Sequence, residues 1–471
     1  MNSAVIDELR HEANAKLDPK KKGALGQFMT PSKIAEFMAG MFENRKNAVL
    51  LDAGAGIGSL IIAASKVLEL QQVEAWEIDV VMQSYLETNL ASLVVPHELH
   101  KVDFIIDSAL RLLEKRGTRF THAILNPPYK KIGTNSVHRQ ACKQIGLETV
   151  NLYTAFLALA ILQMQDGGEI VVIIPRSFCN GPYYKPFREL MLKECSIDMI
   201  HVFESRSKTF KDDEVLQENI ILKLTRQAKQ GQVILSSSHD SKFADLSQRT
   251  VEYETIVEPN DAEVFIRIPE ESGGEISEVL FAKSLKEMGI DVCTGPVVSH
   301  RVKEWLSQEM GPGMVPLIFP HHFNDGVFQH PKPHKKPNAL IRSHEVDKWL
   351  MVEGNYVLIK RFSAKEERRR VVAYLVTPED TKSELVGFEN HWNVLHIKKK
   401  GLDKTVAMGL VCFLNCTALD GYFRIFSGHT QVNATDLRNI KFPKMADLER
   451  LGRSYKLSMK QDEIDALIKS L

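Results

Sequence analysis

The stretch NAVLLDAGAGIGSLIIAASKVLEL, residues 47–70, decides the fold of this chain. A short apolar run leads into alternating glycines at Gly54, Gly56 and Gly58, and an amphipathic stretch follows them. This order predicts a buried strand, a tight turn and a helix. The glycines let the backbone pass close to a ligand and let the helix pack on the strand. Because nicotinamide and flavin enzymes share such a turn, it does not identify the ligand by itself.

Strands and helices continue to alternate after this turn. Apolar runs that predict strands lie at residues 47–56, 71–79, 100–105, 121–129, 169–175, 197–204 and 218–226. Amphipathic stretches of helical length separate most of them. Repeated βα units predict an α/β fold with a seven-stranded, mostly parallel sheet and helices on both of its faces. Ligands of such sheets bind at the carboxyl ends of the strands.

The length of 471 residues allows a second domain. A polar stretch at residues 225–258 leads into a region richer in His, Pro and short strand-like runs, which predicts domains at 1–245 and 246–471. We expect the second domain to be mixed α/β and to end in a charged helix.

Charge balance, cysteine spacing and the length of apolar runs bear on the partners and the location of this protein. Sixty Lys and Arg balance sixty Asp and Glu, so total charge gives no sign of a nucleic-acid partner. Six scattered cysteines without a CxxC pair predict reduced thiols and no metal site. We see neither a signal peptide nor an apolar run of membrane length, and therefore expect a soluble protein of the cell interior.

Acidic positions near the glycine turn indicate what it holds. Asp52 precedes the turn, which places a carboxylate near an ammonium-bearing ligand rather than a pyrophosphate. Glu77, at the end of the second strand, is placed to accept hydrogen bonds from ribose hydroxyls. Asp103, at the end of the third strand, can accept from an adenine amine, and Phe104 can cover the ring face. Taken alone, an Asp at a strand end is usually a helix cap.

The peptide Asn126-Pro127-Pro128-Tyr129 lies at the carboxyl tip of the fourth predicted strand. The exocyclic amine of a purine is a poor nucleophile, because its lone pair is delocalised into the ring. The Asn126 amide oxygen and the Pro127 carbonyl can each accept one amine hydrogen, which localises that lone pair toward a reactive methyl group. The prolines hold the carbonyl in place, and Tyr129 offers a flat face to a base. The peptide predicts methylation of an amine on a flat, conjugated group.

These motifs, in this order, resemble the gamma-class adenine-N6 DNA methyltransferases. The resemblance rests on GQFMTP (26–31), DAGAGIG (52–58), WEID (76–79), VDF (102–104), NPPY (126–129) and the stretch at 210–220. It implies a Rossmann-like catalytic domain that binds S-adenosylmethionine, with Phe28, Thr30 and Pro31 closing over the methionine part of the cofactor. It also implies a second aromatic that sandwiches a flipped adenine against the peptide's tyrosine; Phe210 is the best match and Phe203 the fallback.

The likeness continues more loosely in the C-terminal half. TGPVV (294–298), KRFSAKEERRR (360–370), ENHWNVLH (389–396) and FSGHTQVNATDLRNIKFP (426–443) resemble the restriction-modification methyltransferases of the PstI/BsuBI type. The second domain is therefore expected to be a DNA target-recognition domain.

The resemblance implies a site-specific DNA adenine-N6 methyltransferase that acts on a flipped-out adenine in double-stranded DNA. It implies the modification enzyme of a restriction-modification system, a cognate restriction endonuclease encoded separately, and CTGCAG as the target. We expect a monomer or weak dimer in the cytoplasm of a prokaryote, associated with the nucleoid and not with a membrane.

Basic and polar residues of the second domain are candidates for DNA contact, since phosphate contacts give affinity and base contacts give specificity. The candidates are Lys360, Arg361, Lys365, Arg368, Arg369, Arg370, Lys335, Lys336, His429, Gln431 and Asn433. For each member of the basic run at 360–370, a place on a solvated helix face with internal ion pairs is an equal alternative. For His429 the alternative is a structural hydrogen bond.

Two other functions stay open. The NPPY peptide also serves glutamine N-methyltransferases that act on release factors, and some RNA methyltransferases. Those chains are much shorter and carry their extra domain before the catalytic one. A methyltransferase-like subunit could also bind DNA without catalysis, but the intact Asp52, Glu77, Asn126 and Tyr129 favour an active enzyme.

Overall fold

The computed structural model describes residues 3–17, 29–117, 119–203, 218–269, 279–324, 326–363, 367–427 and 431–471. The chain divides into two compact units, unit 1 (Met1–Ile268) and unit 2 (Pro269–Leu471). This division falls later than the domain boundary after residue 245 that we expected. Residues 246–268 belong with unit 1 because Ser247–Val251 pairs with its sheet and because Ile256 and Ile266 are buried in its core.

Unit 1 alternates helices and strands, as the βα pattern predicts. Its helices are α1 (Ser3–Lys16), α2 (Ser32–Gly40), α3 (Ser59–Ala64), α4 (Val80–Ala91), α5 (Phe104–Leu113), α6 (Val137–Gln144), α7 (Leu152–Gln163), α8 (Lys185–Glu194) and α9 (Tyr253–Ile256). Its strands are β1 (Ala48–Ala53), β2 (Leu70–Trp76), β3 (His97–His100), β4 (Phe120–Leu125), β5 (Met164–Pro175), β6 (Cys195–Phe203), β7 (Asn219–Arg226), β8 (Val233–Ser238) and β9 (Ser247–Val251). Short 3-10 helices lie at Arg176–Cys179 and Pro182–Tyr184.

Among the described residues of unit 1, nine strands form one mixed sheet in the order β3-β2-β1-β4-β5-β7-β6-β8-β9. The five strands from β3 to β5 in this order are parallel to their neighbours. Strand β7 is antiparallel to both β5 and β6, while β8 is parallel to β6 and antiparallel to β9. Six predicted strands are present as β1, β2 and β4–β7, but the third lies at His97–His100 and not at 100–105, where Phe104 begins α5. The predicted number of seven is also wrong, because β8 and β9 extend the sheet at one edge.

Packing on both faces explains why the central strands are continuously apolar. Ile170–Ile174 in β5 are completely buried, as expected for a strand covered by helices on both sides. One core cluster includes helix α7, and the other includes residues of α2 and α3. Because β1, β2, β3 and β4 run parallel, their carboxyl ends meet at one edge of the sheet, and the sequence motifs that follow these strands meet there too.

Unit 2 contains smaller sheets and a group of helices. Its strands are β10 (Lys283–Ser284), β11 (Asp291–Thr294), β12 (Leu306–Ser307), β13 (Met314–Ile318), β14 (Phe323–Asn324), β15 (Val327–Phe328), β16 (Ala339–Ile341), β17 (Met351–Val352), β18 (Tyr356–Lys360), β19 (Ala373–Val376), β20 (Leu385–Phe388), β21 (Trp392–His396) and β22 (Lys441–Phe442). Its helices are α10 (His344–Asp347), α11 (Pro378–Thr381), α12 (Lys404–Leu414), α13 (Thr417–Phe426), α14 (Ala434–Asn439), α15 (Met445–Ser454) and α16 (Gln461–Lys469). Short 3-10 helices lie at Lys286–Met288, Ser299–Arg301, Lys303–Trp305 and Pro320–His322.

The strands of unit 2 pair mostly antiparallel. In the part of unit 2 that the structure describes, the larger sheets have the orders β11-β21-β18-β19 and β12-β16-β13-β20-β17. In the second of these, β13 and β20 are parallel. Strand β10, near the start of unit 2, pairs with β22 near its end, so distant segments of the unit close on each other.

In the described ranges, no single helix is long and apolar enough to cross a membrane. The bent pair Lys404–Leu414 and Thr417–Ile425 passes that test only when its two helices are taken together, by length and composition alone.

Candidate functional site

A cavity of unit 1 opens where β1, β2, β3 and β4 end. The predicted site residues on its wall are Thr30, Gly54, Gly56, Glu77, Asp103, Phe104, Asn126 and Pro128. Wall residues that we had not predicted to bind a cofactor are Met29, Ala55, Ile57, Ser59, Leu60, Trp76, Ile78, Met82, Val102, His138, Leu152 and Phe156. The topology thus brings motifs that lie far apart in the sequence to one place, as parallel strands ending at one edge require.

The glycine turn after β1 depends on positive φ angles. Gly54, Gly56 and Gly58 have φ of 72°, 56° and 86°, a region that L side chains rarely adopt. A Cβ at Gly58 would lie 2.8 Å from the Leu86 side chain, so a larger residue would require that side chain to shift and would also strain the backbone at this positive φ. Gly54 and Gly56 lie on the cavity wall. Gly58 is the N-cap residue of α3 and does not lie on the wall.

Glu77, directly after β2, holds the turn through its carboxylate. The Gly56 N–H donates to Oε2 at 2.8 Å, and the Asp79 N–H donates to Oε1 at 2.7 Å. Burial raises the pKa of the Glu77 carboxyl above its usual value, although the backbone donors act in the opposite direction. Because each oxygen has a second lone pair, Glu77 can still accept a hydrogen bond from a hydroxyl in the cavity.

Asp52 lies in β1 and is completely buried. Within the described residues, neither of its carboxylate oxygens has a hydrogen-bond partner. Burial, with the nearby charge of Glu77, raises the pKa of Asp52 well above its usual value. The predicted placement beside a ligand is corrected, since the carboxyl lies in the interior, two residues before the wall residue Gly54, and not on the wall itself.

Asp103 is both a helix cap and a wall residue. Its Oδ1 accepts from the Ile106 N–H at 3.1 Å and so caps α5. Its Oδ2 lies 2.8 Å from His138 Nε2, and both side chains line the cavity. Phe104 lines the cavity as well, but it is 2% exposed and packs on Phe156 with ring centroids 5.0 Å apart. Most of the surface of the Phe104 ring is therefore buried by packing against core residues.

The amide of Asn126 is held at both of its ends. Nδ2 donates to Thr30 Oγ1 at 2.9 Å, and the Tyr129 hydroxyl donates to Oδ1 at 2.9 Å. The same hydroxyl lies 3.2 Å from the Ile173 carbonyl oxygen in β5. These contacts fix which end of the amide is the acceptor. Pro127 is buried and does not line the cavity.

Tyr129 is anchored by its surroundings. Its ring meets the Tyr153 ring at 87° with centroids 6.2 Å apart. Burial raises the pKa of Tyr129 above its usual value, so the hydroxyl keeps its proton and donates it. The side chain thus supports Asn126 as well as contributing an aromatic ring to the peptide.

Of the other predicted positions, two lie outside the described residues and two lie off the cavity wall. Phe28 and Phe210 lie outside the described residues. Phe203 is 3% exposed and packs on His201 and Phe243, so this fallback for the second aromatic is corrected. Pro31 precedes α2 and is not on the wall.

Two exposed aliphatic residues complete the cavity. Ile78 and Val102 are 45% and 49% exposed and line it near the ends of β2 and β3. Exposed aliphatic side chains at the mouth of a cavity can cover the faces of a flat ring. They lie inside the WEID and VDF motifs, next in sequence to the predicted acids Glu77 and Asp103, but neither was itself predicted to bind a cofactor. Topology, rather than residue type, is the signal that finds them.

The DNA-contact candidates of unit 2 differ in exposure. Arg368 and Lys335 are exposed, and Lys360, Arg361, Arg369, Lys336, Gln431 and Asn433 are partly buried. Lys365 and His429 lie outside the described residues. Arg370 is 1% exposed and donates to the hydroxyls of Ser363 and Ser427, each at 3.2 Å. Arg370 is thus not available to a phosphate, and its predicted phosphate contact is corrected: the guanidinium joins two loops.

Partners of the neighbouring candidates are also internal. Arg369 donates to the carbonyl oxygen of Asn415. Asn433 begins α14 and donates through Nδ2 to Asp436 at 3.2 Å. Both side chains therefore bond within unit 2, but the described residues of 360–370 do not form the helix that the alternative for this run assumed.

An exposed aromatic stands beside these candidates. Phe362 is 46% exposed, and its ring centroid lies 5.2 Å from that of His391. The Arg361 guanidinium carbon lies 5.6 Å from the same ring. His391 Nδ1 is hydrogen-bonded to the buried carboxylate of Glu389, which fixes the orientation of the imidazole. Phe362 and His391 were not among the predicted residues.

A family model described as N-6 DNA Methylase matches residues 13–267. The chain is 49% identical to the type II methyltransferase M.BsuBI of Bacillus subtilis, in an alignment that covers 95% of this chain and 93% of the relative. It is 39% identical to the type II methyltransferase M.PstI of Providencia stuartii, with 98% and 96% covered. The cryo-EM structure of a DrdV–DNA complex is similar in fold, with a TM-score of 0.53 and 12% identity, over 93% of this chain and 58% of that one.

Proposed function

This chain belongs to the N-6 DNA methylase family, and from that premise we infer that it is a DNA adenine-N6 methyltransferase of a restriction-modification system. The observation that carries the proposal is the fixed amide of Asn126 at the wall of the cavity built by the glycine turn and Glu77. An acceptor held in advance at this position is what activation of an exocyclic amine requires.

We propose S-adenosylmethionine as the methyl donor. Three features of the cavity fit it: the carboxylate of Glu77 accepts from ribose hydroxyls, Ile78 and Val102 cover an adenine, and the wall residue Ser59 has a buried hydroxyl oxygen without a partner in the described structure. The Asp52 carboxyl behind the turn has no hydrogen-bond partner among the described residues and a raised pKa; a nearby cationic ligand would lower that pKa and favour its ionised form. When bound, S-adenosylmethionine supplies an electrophilic methyl group.

Among the chain's own residues, Asn126 has the main role in activating the adenine amine. Because Thr30 accepts from Nδ2, the amide cannot rotate, and Oδ1 keeps its place as acceptor. The Tyr129 hydroxyl donates to Oδ1, and Oδ1 is the proposed acceptor of one hydrogen of the adenine amine. The Pro127 carbonyl is proposed as the second acceptor. Accepting both hydrogens localises the amine lone pair, and no side chain with an unusual pKa is needed to remove a proton beforehand.

Double-stranded DNA is the proposed substrate, and unit 2 the proposed target-recognition domain. The target adenine must leave the base stack, which costs a few kcal/mol that contacts elsewhere offset. The exposed cations Arg368 and Lys335 are candidates for phosphate contact. Phe362, with His391 behind it, is a candidate for stacking on a base or sugar.

The wider setting is proposed from the resemblance. A separately encoded restriction endonuclease would share the target sequence, which we expect to be CTGCAG. We propose a monomer or weak dimer in the prokaryotic cytoplasm, near the nucleoid.

Methyl transfer is tested with labelled S-adenosylmethionine and with DNA, RNA or release-factor protein, followed by digestion and identification of the labelled residue. We expect N6-methyladenine in DNA, at positions that sequencing of the methylated DNA will identify. Label found only in glutamine or in RNA would contradict the proposal. A chain that binds DNA but transfers no methyl group would support the non-catalytic alternative.

Asn126→Ala is expected to lower the rate of transfer by about 100-fold or more, as the loss of a preorganised electrostatic contact does. Its affinity for S-adenosylmethionine should stay nearly unchanged. Asn44→Ala is the matched control, because Asn44 is exposed and precedes β1 at the opposite end of the strand. Loss of cofactor affinity in Asn126→Ala would mean that the role of Asn126 is misassigned.

A further inference from the structure

The polar end of the cavity contains a pair of side chains from separate segments. Asp103 follows β3, and His138 is in the first turn of α6. His138 Nε2 and Asp103 Oδ2 are 2.8 Å apart, and 29% and 28% of their side-chain surfaces are exposed. Since an ionised carboxylate can only accept, His138 must be the donor through its Nε2–H.

The two carboxylate oxygens of Asp103 have different partners: Oδ1 is bonded to the backbone and Oδ2 to His138. Oδ1 accepts the capping hydrogen bond from the Ile106 N–H at 3.1 Å. Oδ2 has no other protein partner among the described hydrogen bonds than His138, so one of its lone pairs stays available. Without His138, only the capping hydrogen bond at Oδ1 would limit rotation of the Asp103 carboxylate about its Cβ–Cγ bond. His138 therefore determines where the free lone pair points.

The segment that carries His138 is anchored by backbone hydrogen bonds and follows the NPPY peptide in the chain. Ser136 caps α6 by accepting from the Arg139 N–H at 3.3 Å. Further back, the Ile132 N–H donates to the Val150 carbonyl at 2.7 Å, which anchors the loop between the peptide and α6. The position of the His138 ring thus follows from the same loop that leaves the catalytic peptide.

Ile78 and Val102 line the same cavity, near the ends of β2 and β3. Two aliphatic side chains next to a carboxylate with a free lone pair make a slot for a flat base that carries an amine at its edge. On the proposed function, that base is the adenine of S-adenosylmethionine.

We propose that His138 is a positioning residue that aims Asp103 Oδ2 at the adenine amine of the cofactor and so makes the site select adenine over a base without that amine. His138 acts through Asp103 and takes no part in methyl transfer. The inference rests on the proposed function, because it concerns the cofactor of that reaction.

The test measures equilibrium binding by calorimetry of the full chain to two probes, S-adenosylhomocysteine and S-inosylhomocysteine, in which an oxo group replaces the amine. The unaltered chain should prefer S-adenosylhomocysteine. His138→Ala should weaken its binding by about tenfold, the factor expected for a weakened hydrogen bond to a charged group, and should change S-inosylhomocysteine binding little. The ratio of the two affinities does not depend on the fraction of the variant that is folded.

Two further variants sharpen the result. His138→Gln keeps an N–H donor near the Nε2 position and should restore most of the preference. His97→Ala is the control, because His97 is an exposed histidine in β3 that bonds only locally to the Val95 carbonyl, and its preference should equal that of the unaltered chain. Equal weakening of both probes by His138→Ala, or no weakening, would overturn this inference alone. Failure of the unaltered chain to bind S-adenosylhomocysteine would overturn the proposed function as well.

Discussion

At the scale of single residues, the sequence motifs identified the wall of the cavity but not the contacts between its members. The NPPY peptide and the acids after β2 and β3 were predictable, because their chemistry is legible from residue type. Thr30 was expected to touch the cofactor, yet its hydroxyl accepts from Asn126. Such a contact joins residues 96 positions apart, and no local pattern predicts it. His138 was missed as a cofactor-site residue for the same reason.

Thr30→Val is expected to slow methyl transfer while leaving cofactor affinity nearly unchanged. The valine keeps the shape of threonine but removes the acceptor that orients the Asn126 amide, at a cost of about 1 kcal/mol, or roughly a fivefold loss in kcat. Thr30→Ser keeps the hydroxyl and should retain most of the rate. Separate measurements of kcat and of the Kd for S-adenosylmethionine distinguish the roles. An unchanged kcat with a raised Kd would instead support the cofactor contact that the family resemblance implied.

Asp52→Asn is expected to stabilise the cofactor-free protein increasingly as pH rises. The pKa of Asp52 in the fold is well above its usual value, because the carboxyl is buried near Glu77. The folded state therefore holds a proton that the unfolded state loses from about pH 4, and stability falls as pH rises from there toward the folded pKa. An asparagine cannot ionise and removes this loss.

Thermal unfolding of the Asp52→Asn variant and of the unaltered chain, followed between about pH 4 and about pH 8, measures the effect. The gap in Tm should widen with pH, and S-adenosylmethionine should bind the variant more weakly. Asp166→Asn is the control, since Asp166 is exposed in the same unit. A gap that stays constant over this range would show that the charge on Asp52 does not destabilise the fold.

At the scale of elements, burial decided which strands could be predicted. The strands β1, β4, β5 and β7 appear in the sequence as apolar runs, because most of their residues are buried. Strand β9, with the sequence SQRTV, has no buried residue and was read as part of a polar linker. An edge strand can be polar, since one of its sides faces solvent. Pairing with β8 therefore defines β9 as a strand where composition cannot.

Gly409→Ala is expected to lower the free energy of unfolding of unit 2 by about 1–3 kcal/mol or more, the cost of overpacking a core. Helices α12 and α15 meet at glycines: a Cβ at Gly409 would lie 1.9 Å from the Leu448 carbonyl oxygen, and one at Gly452 would lie 1.8 Å from that of Thr405. These contacts are with backbone, so no side chain can move aside. Chemical denaturation monitored by circular dichroism measures the change.

Gly421→Ala provides the comparison for Gly409→Ala. Gly421 is an exposed position in helix α13, and a Cβ there would meet nothing within 4 Å. Alanine should therefore stabilise this helix by up to about 1 kcal/mol through its higher helix propensity. Equal effects of the two substitutions would mean that α12 and α15 do not pack as closely as their glycines allow.

At the scale of the whole molecule, the sequence allows more of unit 1 than of unit 2 to be predicted. In unit 1 a few motifs and a repeated βα pattern were enough to predict the α/β fold and eight of the residues on the cavity wall. In unit 2 the DNA candidates were chosen by charge, and charge does not distinguish the exposed Arg368 from the buried Arg370. Burial of Arg370 depends on hydrogen bonds to Ser363 and Ser427, which only the folded unit brings together.

A fragment of residues 1–268 is expected to bind S-adenosylhomocysteine within about threefold of the full chain, a difference below about 1 kcal/mol, and to lose sequence-specific DNA binding. Every wall residue of the cavity belongs to unit 1, whereas the predicted DNA contacts belong to unit 2. Circular dichroism first verifies that the fragment is folded, calorimetry then measures its affinity for S-adenosylhomocysteine, and footprinting on methylated target DNA compares it with the full chain. A fragment that still protects the same sequence would place recognition in unit 1, and a folded fragment without cofactor affinity would mean that the cofactor site requires residues beyond Ile268.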